Sequence, residues 1–191
     1  MKRKGLLAGL FGVAAVATGV TSWAIQSYSA ADPDSKAPSA ESQNRQDASS
    51  LLQAGILQQN NHDLEGADRT YRRVLELDPR NKFAWYNLGV IAHGAGRAAD
   101  ARADYDKALK VDPAFMSALF NEALLLETSD PDRAGDLLKR VIAGNTKAGT
   151  AHLHLGRIFH QKKRDDKAAD EFRRAVADDP SLRSQVPEEF R

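Results

Sequence analysis

Histidine and glutamate side chains are the groups in this sequence whose spacing suggests metal chemistry. His93, Glu127 and His160 follow one another at intervals of 34 and 33 residues, so a repeating fold would bring them to equivalent places. Imidazole and carboxylate groups are ligands of Zn²⁺, but this set lacks a fourth ligand, and a metal site needs ligands that converge. We therefore interpret the three side chains as solvated polar groups, and the sequence predicts neither a metal nor another cofactor.

Other residues that carry chemistry are missing from the sequence or badly spaced for it. His152 and His154 stand two positions apart, which on a helix turns them about 200° from each other. There is no GxSxG, P-loop, HExxH or GxGxxG motif, and there is no cysteine to act as a nucleophile or a ligand. The sequence therefore predicts a protein that is not an enzyme.

The charge balance argues against nucleic acid as a partner. The 191 residues include 27 Lys and Arg against 26 Asp and Glu, which leaves a formal net charge of +1. Such a balance produces no strongly basic field. The short basic run Lys162-Lys163-Arg164 is typical of a solvated turn. Hydrophobic residues at 42% and charged residues at 28% are ordinary for a globular domain.

The first 31 residues differ from the rest and predict a membrane address. Lys2, Arg3 and Lys4 are followed by an uncharged segment from Gly5 to Ala31, long enough for the ~20-residue helix that crosses a bilayer. Basic residues stay on the cytoplasmic side, so a single-pass membrane protein is expected, with the remaining chain extracytoplasmic. The alternative is a signal peptide cut after Ser29-Ala30-Ala31, which would leave a secreted or periplasmic protein.

Residues 32–47 predict a flexible linker. They contain no large apolar residue, so nothing in them offsets the entropy lost on ordering. A flexible coil of this length reaches ~20–25 Å root-mean-square. The expected order is an N-terminal transmembrane helix or signal peptide over 1–31, this linker, and then the folded part of the chain.

From residue 48 onward the sequence repeats with a period of about 34 residues. An Asp-Pro pair recurs at positions 78–79, 112–113 and 179–180. Twelve residues before each proline is an alanine, and four residues after that alanine is an aromatic residue; in the second unit these are Ala101 and Tyr105. Twenty-four residues before each proline is a glycine, such as Gly89. Apolar residues in each unit are spaced as on two amphipathic helices.

This pattern closely resembles the tetratricopeptide repeat. The match is clearest in the second unit, where a Trp-x-x-Leu-Gly-x-x-Ala run begins at Trp85 and is followed by Ala101, Tyr105 and Pro113. Four units are delimited at residues 48–81, 82–115, 116–148 and 149–182, with a short tail over 183–191. The resemblance implies an all-α fold, a right-handed α-solenoid of about four helix-turn-helix units.

The third unit departs most from the pattern. Glu122 and Ala123 replace the Leu-Gly pair, and Leu138 takes the aromatic position. One residue is missing around Pro131, so the turn between the two helices is expected to be reshaped there. Helical periodicity continues on both sides of the deletion, so we count this segment as a repeat.

The C-terminal end is expected to be poorly covered. Only nine residues follow the fourth unit, and arrays of this kind normally close with a helix that covers the last apolar face. Phe172, Val176 and Ala169 are therefore predicted to be partly uncovered. The alternatives are that Phe190 folds back over them or that the face binds something.

In this family the first helices of successive repeats line a concave groove, and the resemblance implies which residues would face it here. Carried over position by position, the candidate peptide-binding residues are Leu52, Ile56, Phe83, Tyr86, Val90, His93, Phe120, Leu124, Glu127, Leu153, Arg157 and His160. Their apolar and aromatic members form a stripe suited to an apolar or amphipathic peptide. The Lys and Asn side chains with which one subfamily holds a C-terminal carboxylate are missing there. The alternative is that some of these residues, including Tyr86, pack between repeats.

These observations predict a membrane-tethered, extracytoplasmic scaffold or adaptor that binds a protein or peptide segment in its groove. The alternative is a structural element of an envelope assembly that self-associates through its weakly capped C-terminal end, as a homo-oligomer. Frequent Ala and Arg favour a bacterial source, and the expected extracytoplasmic scaffold would then belong to the bacterial envelope. The predicted partners are a protein segment of unknown identity and, through the first helix, a membrane.

Overall fold

A computed structural model describes residues 39–145 and 148–191 of the chain. Within those two ranges the protein is helical, without strands. Its α-helices are α1 (Ala40–Asn60), α2 (Leu64–Leu77), α3 (Lys82–Gly94), α4 (Ala98–Val111), α5 (Met116–Leu126), α6 (Pro131–Gly144), α7 (Gly149–Gln161) and α8 (Asp165–Asp178). Two short 3₁₀ helices follow α8, Pro180–Gln185 and Glu188–Phe190.

The N-terminal part of the chain is described only in part. The predicted membrane segment over 1–31 lies outside the described residues, and in the described ranges no helix combines the length and apolar character needed to cross a bilayer. Residues 40–47, expected in the flexible linker, are helical, because α1 starts at Ala40, ahead of its first buried residue, Ala48. Extending a helix costs less than nucleating one, and an exposed Arg45–Glu41 ion pair of 2.5 Å supports the added turns.

The helices pair in chain order into four hairpins that coincide with the predicted repeats. Within hairpins, α3 packs on α4, α5 on α6 and α7 on α8, and Gly55 of α1 lies against Tyr71 of α2. Successive hairpins pack against each other through contacts of α2 with α3, of α4 with α5 and of α6 with α7. Each hairpin therefore buries its apolar face against its neighbours, as in a solenoid. The predicted all-α fold of helix-turn-helix repeats is confirmed.

A glycine on the first helix of three repeats allows an aromatic ring of the second helix to lie against its backbone. A Cβ atom placed on Gly89 would come within 2.6 Å of the Tyr105 ring. The same distance holds for Gly55 with Tyr71 and for Gly156 with Phe172. The three rings are at most 1% exposed, so each fills the space that the missing side chain leaves.

The Asp-Pro pairs end the second helix of the repeats in which they occur. Pro113 cannot continue the helix, and Asp112 before it is extended, with φ −136° and ψ 97°. The Asp112 carboxylate accepts hydrogen bonds from the Lys82 ammonium at 2.6 Å and from the Ala114 backbone N–H at 3.0 Å. These contacts, chiefly that with Lys82, hold the pKa of Asp112 below its ordinary value.

The third repeat accommodates its missing residue with a first helix that is two residues shorter and a connecting segment that is one residue longer than in the second and fourth repeats. The helix α5 has 11 residues where α3 and α7 have 13. Ala123 and Leu138, in the glycine and aromatic positions, are buried at 0% and 1% exposure. Glu122 is also fully buried, and Arg133 donates to its carboxylate at 2.5 Å and to that of Asp106 in the second repeat at 2.7 Å. Burial raises the pKa of Glu122, while the charge of Arg133 opposes the shift.

The C-terminal tail packs on the fourth repeat. Leu182 and Val186 share a buried cluster with Phe172, and the Phe190 ring lies 5.1 Å from the Phe172 ring, measured between centroids. Phe172 is 1% exposed, so the prediction that it is partly uncovered is wrong, and the alternative in which Phe190 folds back is observed. Val176 remains half-buried. A few apolar residues in two short 3₁₀ helices are enough to cover a single ring without a further α-helix.

Candidate peptide-binding groove

The first helices of the repeats, α1, α3, α5 and α7, carry the residues predicted to face a groove, except Glu127, which is the C-cap residue that follows α5. Phe83 of α3 and Ile56 of α1 are the most exposed apolar members, at 46% and 41%. Most of the others are half-buried: Leu52, Tyr86, Val90, His93, Phe120, Leu124, Glu127 and Arg157. An apolar surface of this kind is available to cover a partner's apolar residues.

Leu153 of α7 does not belong to an accessible surface. It is 0% exposed and shares a buried cluster with Leu182 and Val186 of the C-terminal tail. The family pattern counts positions along the helix and takes no account of a tail that packs there. The prediction for Leu153 is therefore wrong, while Arg157 and His160 on the same helix keep a half-buried and an exposed side chain.

Three aromatic rings meet where α3 faces the start of α5, and we call Phe83, Tyr86 and Phe115 the aromatic cluster. The centroid of the Phe115 ring lies 5.4 Å from that of Phe83 and 5.3 Å from that of Tyr86, both in edge-to-face arrangement. The Lys82 ammonium lies over the rings of Phe83 and Phe115, at 5.1 and 5.0 Å. Such contacts hold the rings in place, so the cluster is a preformed apolar surface with a cation at its edge.

Tyr86 contributes to the aromatic cluster and also joins two repeats. Its hydroxyl accepts a hydrogen bond from Asn121 Nδ2 of α5 at 2.9 Å, and its ring centroid lies 6.1 Å from that of the buried Tyr105. Burial raises the pKa of Tyr86, and the Asn121 hydrogen bond acts in the opposite direction. Tyr86 therefore packs between repeats, as the alternative prediction had it, and Phe83 is the freer side chain for a partner.

A second part of the surface lies between α5 and α7. The Phe120 ring is edge-to-face with the His154 ring at 5.9 Å between centroids, and His154 Nδ1 lies 2.7 Å from Glu127 Oε2. A cavity of about 330 Å³ adjoins Phe120 and is also lined by Ser117 and Thr150. The cavity lies one repeat away from the aromatic cluster, and Asp178 and Asp179 also line it.

His93, Glu127 and His160 are not brought together. Glu127 is paired with His154, the His93 ring lies edge-to-face with the Tyr105 ring at 6.5 Å, and His160 Nδ1 lies 2.9 Å from Asp165 Oδ1. Within 39–145 and 148–191, no three His, Asp or Glu side chains are grouped as metal ligands. Although the three residues occupy equivalent positions in successive repeats, each side chain contacts a different partner.

Sequence reasoning missed Lys82, Phe115 and Asn121, which complete or support the aromatic cluster. Phe115 is the N-cap residue of α5, outside the helical positions that the family pattern counts. Its equivalent before α3 is Asn81, a polar residue whose side chain accepts a hydrogen bond from the Ala84 N–H. The repeat alignment therefore gives no sign of an aromatic residue at 115, and only the distances between rings reveal it.

The four hairpins, with their glycine–aromatic contacts, define the class of the protein as a helical-repeat solenoid of the kind that binds other proteins. A family model described as tetratricopeptide repeat matches residues 52–117, 94–142 and 123–182, which together span more than half of the chain. The protein belongs to the tetratricopeptide repeat family.

Solved structures share this fold. The chain is 26% identical to the MamA protein in one crystal structure, with a TM-score of 0.65 over 71% of this chain and 74% of that one. It is 23% identical to pilF of Pseudomonas aeruginosa, with a TM-score of 0.66 over 76% of this chain and 67% of that one. At 23% identity, the likeness to pilF is one of fold alone.

Curated proteins match over a part of their length. The chain is 27% identical over 126 residues to the protein O-mannosyl-transferase TMTC3 of Homo sapiens. It is 30% identical over 111 residues to cellulose synthase operon protein C of Pseudomonas fluorescens strain SBW25. The matches cover 63% and 58% of this chain but only 14% and 9% of those proteins, so the likeness concerns one part of each.

Proposed function

We propose that this protein is a non-enzymatic scaffold that binds an apolar or amphipathic segment of another protein across α3 and α5. The observation that carries the proposal is the aromatic cluster, in which Phe83 is 46% exposed beside rings that fix its position. A large apolar side chain that is held in place and open to solvent is typical of an anchor point in a protein interface. The repeat family, whose first helices line a binding groove, supports the same surface.

The expected contribution of Phe83 to binding follows from its area. A phenylalanine buries ~150–250 Å² when fully covered, so covering its open half removes roughly 70–120 Å² from water. At about 25 cal/mol per Å², this contributes ~2–3 kcal/mol to the binding free energy. Because neighbouring rings already hold the side chain, little rotamer entropy is lost when a partner binds.

The chemistry of the surface defines the partner segment. Lys82 is engaged by Asp112 at 2.6 Å and by two rings, so it offers no free cation for a carboxylate. The aromatic cluster and the cavity beside Phe120 lie on adjacent repeats and are both apolar in part. A segment with two apolar side chains, one for each place, fits this surface best.

Affinity capture from the source cells with two matched variants of the full-length protein tests the proposal. Leu64 on α2 is 45% exposed, nearly as much as Phe83, but it lies outside the first helices. We expect Phe83→Ser to reduce capture of the partner roughly tenfold or more, as the loss of ~2 kcal/mol implies, and Leu64→Ser to retain it. Equal capture by the two variants would contradict the proposal.

The proposal includes an address for the scaffold, tethered to a membrane with its repeats outside the cytoplasm. The support comes from the sequence, in which Lys2, Arg3 and Lys4 precede the uncharged segment from Gly5 to Ala31. Protease added to intact spheroplasts is expected to digest the repeats, and their survival until lysis would refute the address. Ala31→Trp distinguishes an anchor from a signal peptide, since only a cleaved protein would change in size.

A further inference from the structure

A cavity of about 510 Å³ lies at the C-terminal end of the repeats, between α8 and the two 3₁₀ helices. Apolar side chains line it, among them Phe172, Val176 and Phe190. Its other lining residues include Arg173, Arg183 and Arg191, and none of the described residues that line it is acidic. An apolar floor thus lies beside three guanidinium groups.

In the preceding repeats, the residue equivalent to Val176 is half-buried, as Val176 is, and packs in part against the next repeat. Counted from the buried alanine near the start of the second helix, the equivalents are Leu75, Leu109 and Ile142. Each packs against a buried cluster that contains apolar residues of the following first helix, such as Ile91 for Leu75 and Ile158 for Ile142. In the fourth repeat the 3₁₀ helices cover α8 only in part, and the cavity lies where a following helix would pack.

We call the contact between two successive repeats a joint. At the first joint of the array, the charged residue near this position faces opposite charges from the next repeat. Arg173 is equivalent to Arg72 of the first repeat. The pKa of Arg72 is raised by its hydrogen bond to Asp68 and by the negative charges of Asp104 and Asp100. The last two residues belong to the second repeat, so a cation at this position faces carboxylates from the following hairpin.

The other joints carry opposite charges across repeats as well. Asp106, the equivalent of Arg173 in the second repeat, binds Arg133 of the third repeat at 2.7 Å. At the joint between the third and fourth repeats, Lys162 forms an ion pair with Asp132. Opposite charges therefore meet across these joints, although Lys139, the third repeat's equivalent of Arg173, pairs with Asp136 on its own helix.

The three arginines at the end cavity lack such a counter-charge. Arg173 pairs only with Asp170 on its own helix, and the two side chains are 74% and 58% exposed, so the pair contributes little. Arg191 lies 3.8 Å from the exposed Glu188, and Arg183 forms no ion pair with any of the described residues. Two of the three guanidinium groups thus have an exposed carboxylate as partner, and Arg183 has none among the described residues.

We propose that the end cavity binds an acidic amphipathic helix of a partner protein, which packs on α8 as a following repeat would. Its apolar residues cover Val176 and Phe190, and its carboxylates face Arg173 and Arg183. Charge complementarity selects this occupant, because the lining offers three cations and no acidic side chain. This binding is independent of the aromatic cluster, which lies on other helices.

A second copy of the chain, docked in register, does not provide these carboxylates. Gly66 and Thr70 of its first repeat stand where the second repeat has Asp100 and Asp104. A second copy thus supplies apolar contact but no counter-charge to Arg173 from those two positions. Self-association through this face is for that reason an outcome that contradicts the proposal.

Selection of displayed peptides on the immobilised full-length protein tests the inference. The probes are helical peptides of 14 residues, the length of α8, with leucine fixed along one face and Glu, Gln or Lys allowed elsewhere. We expect enriched peptides to hold more Glu than Lys and to bind less tightly as salt increases. Arg173→Glu should weaken them at least tenfold and select Lys-rich peptides instead. Lys139→Glu, the same charge reversal at the equivalent position of the third repeat, is the control and should change nothing.

Several results would overturn the inference. They are the absence of enrichment over a display control without protein, enriched peptides with no preference for Glu, and equal binding to wild type and Arg173→Glu. Concentration-dependent sedimentation that Arg173→Glu abolishes would assign the cavity to a second copy instead. Equal binding of the peptides to Phe83→Ser and to wild type would show that the end cavity is separate from the groove. The groove proposal and the end-cavity proposal can therefore fail independently.

Discussion

The second and third repeats build the same hairpin with different chemistry. In the second, Gly89 lets the Tyr105 ring lie against the backbone of α3, and the ring is 0% exposed. In the third, Ala123 faces the smaller Leu138, and Glu122 occupies the place of a leucine. What the two hairpins share is a filled interface, so the fold requires matched volumes more than particular residue types.

The difference has an electrostatic cost. Glu122 is fully buried, and its Oε2 atom has no hydrogen-bond partner among the described residues, while Oε1 accepts from Arg133. Replacing an apolar contact with a buried ion pair rarely adds stability, because both charges lose water. In return, Arg133 connects Glu122 of the third repeat to Asp106 of the second. The second repeat is therefore the tightly packed hairpin, and the third is the electrostatically coupled one.

A side chain at Gly89 should have the largest effect and breaks the packed hairpin. A Cβ there would lie 2.6 Å from the Tyr105 ring and 3.3 Å from the Ala101 carbonyl oxygen. We expect Gly89→Leu to lower the free energy of unfolding by ~3 kcal/mol or more, at the upper end for overpacked interiors. Thermal unfolding followed by circular dichroism measures this. The control is Gly94→Leu on the same helix, where the added Cβ would meet no neighbouring group within 4 Å. Equal melting temperatures for the two variants would contradict the close contact between Gly89 and Tyr105.

Removal of Arg133 should have the next largest effect and breaks the coupled hairpin. Arg133→Met leaves Glu122 buried without its cation, which typically costs ~3–5 kcal/mol for a fully buried pair. Because the Arg133 side chain is 39% exposed, we expect a smaller loss of about 2–3 kcal/mol in chemical denaturation. Adding Glu122→Leu should restore most of the stability, since leucine stands at this position in the second repeat. A double variant as unstable as Arg133→Met would show that Glu122 is not the cause.

The stability of Glu122→Gln relative to wild type should depend on pH. This smaller effect tests how burial of Glu122 distinguishes the third repeat from the second. Burial raises the pKa of Glu122 above its ordinary 4.5, so the folded protein binds this proton more readily than the unfolded chain does. The contribution to stability is then fully present below pH 4.5 and is lost as pH rises through the folded pKa. We expect Glu122→Gln to be more stable than wild type at pH 7 and to lose this advantage below pH 4.5 in urea unfolding. An advantage that is the same at both pH values would contradict the raised pKa.

The smallest expected effect comes from a glycine that no ring requires. Gly135 lies inside α6, and a Cβ there would meet Leu155 Cδ1 at 3.6 Å, an ordinary contact. Gly135→Ala should stabilise the protein by about 0.5–1 kcal/mol, because alanine loses less backbone entropy in a helix. Gly89→Ala is the matched control and should destabilise. If Gly135→Ala and Gly89→Ala change the stability in the same direction, contact with an aromatic ring does not distinguish the two glycines.

The spacing of residues predicted most of the fold. Period, Asp-Pro pairs and the positions of Gly89 and Tyr105 were enough to delimit the hairpins, because each reports on local backbone geometry. The same spacing marked Glu122 as a departure but did not indicate its partner. Arg133 lies on a different helix, 11 residues along the chain, and only the packing of α5 on α6 brings the two groups together.

The candidate surface was less predictable than the hairpins. Counting helix positions correctly placed Phe83 and Phe120 on exposed or half-buried faces, but it failed for Leu153, which the C-terminal tail covers. It also missed Phe115, which belongs to a turn. Register along one helix determines which way a residue points, whereas its exposure depends on what other segments pack there.

The sequence by itself determined the number of hairpins, the recurring positions of the glycines and aromatic residues and the points at which the Asp-Pro pairs end their helices, because these depend on spacing and on the backbone preferences of single residues. The tertiary structure alone decided that Glu127 pairs with His154, that Phe190 covers Phe172 and that three rings form the aromatic cluster. Those contacts join residues from different helices, and the choice among nearby partners depends on distances of a few ångströms that no repeat pattern encodes.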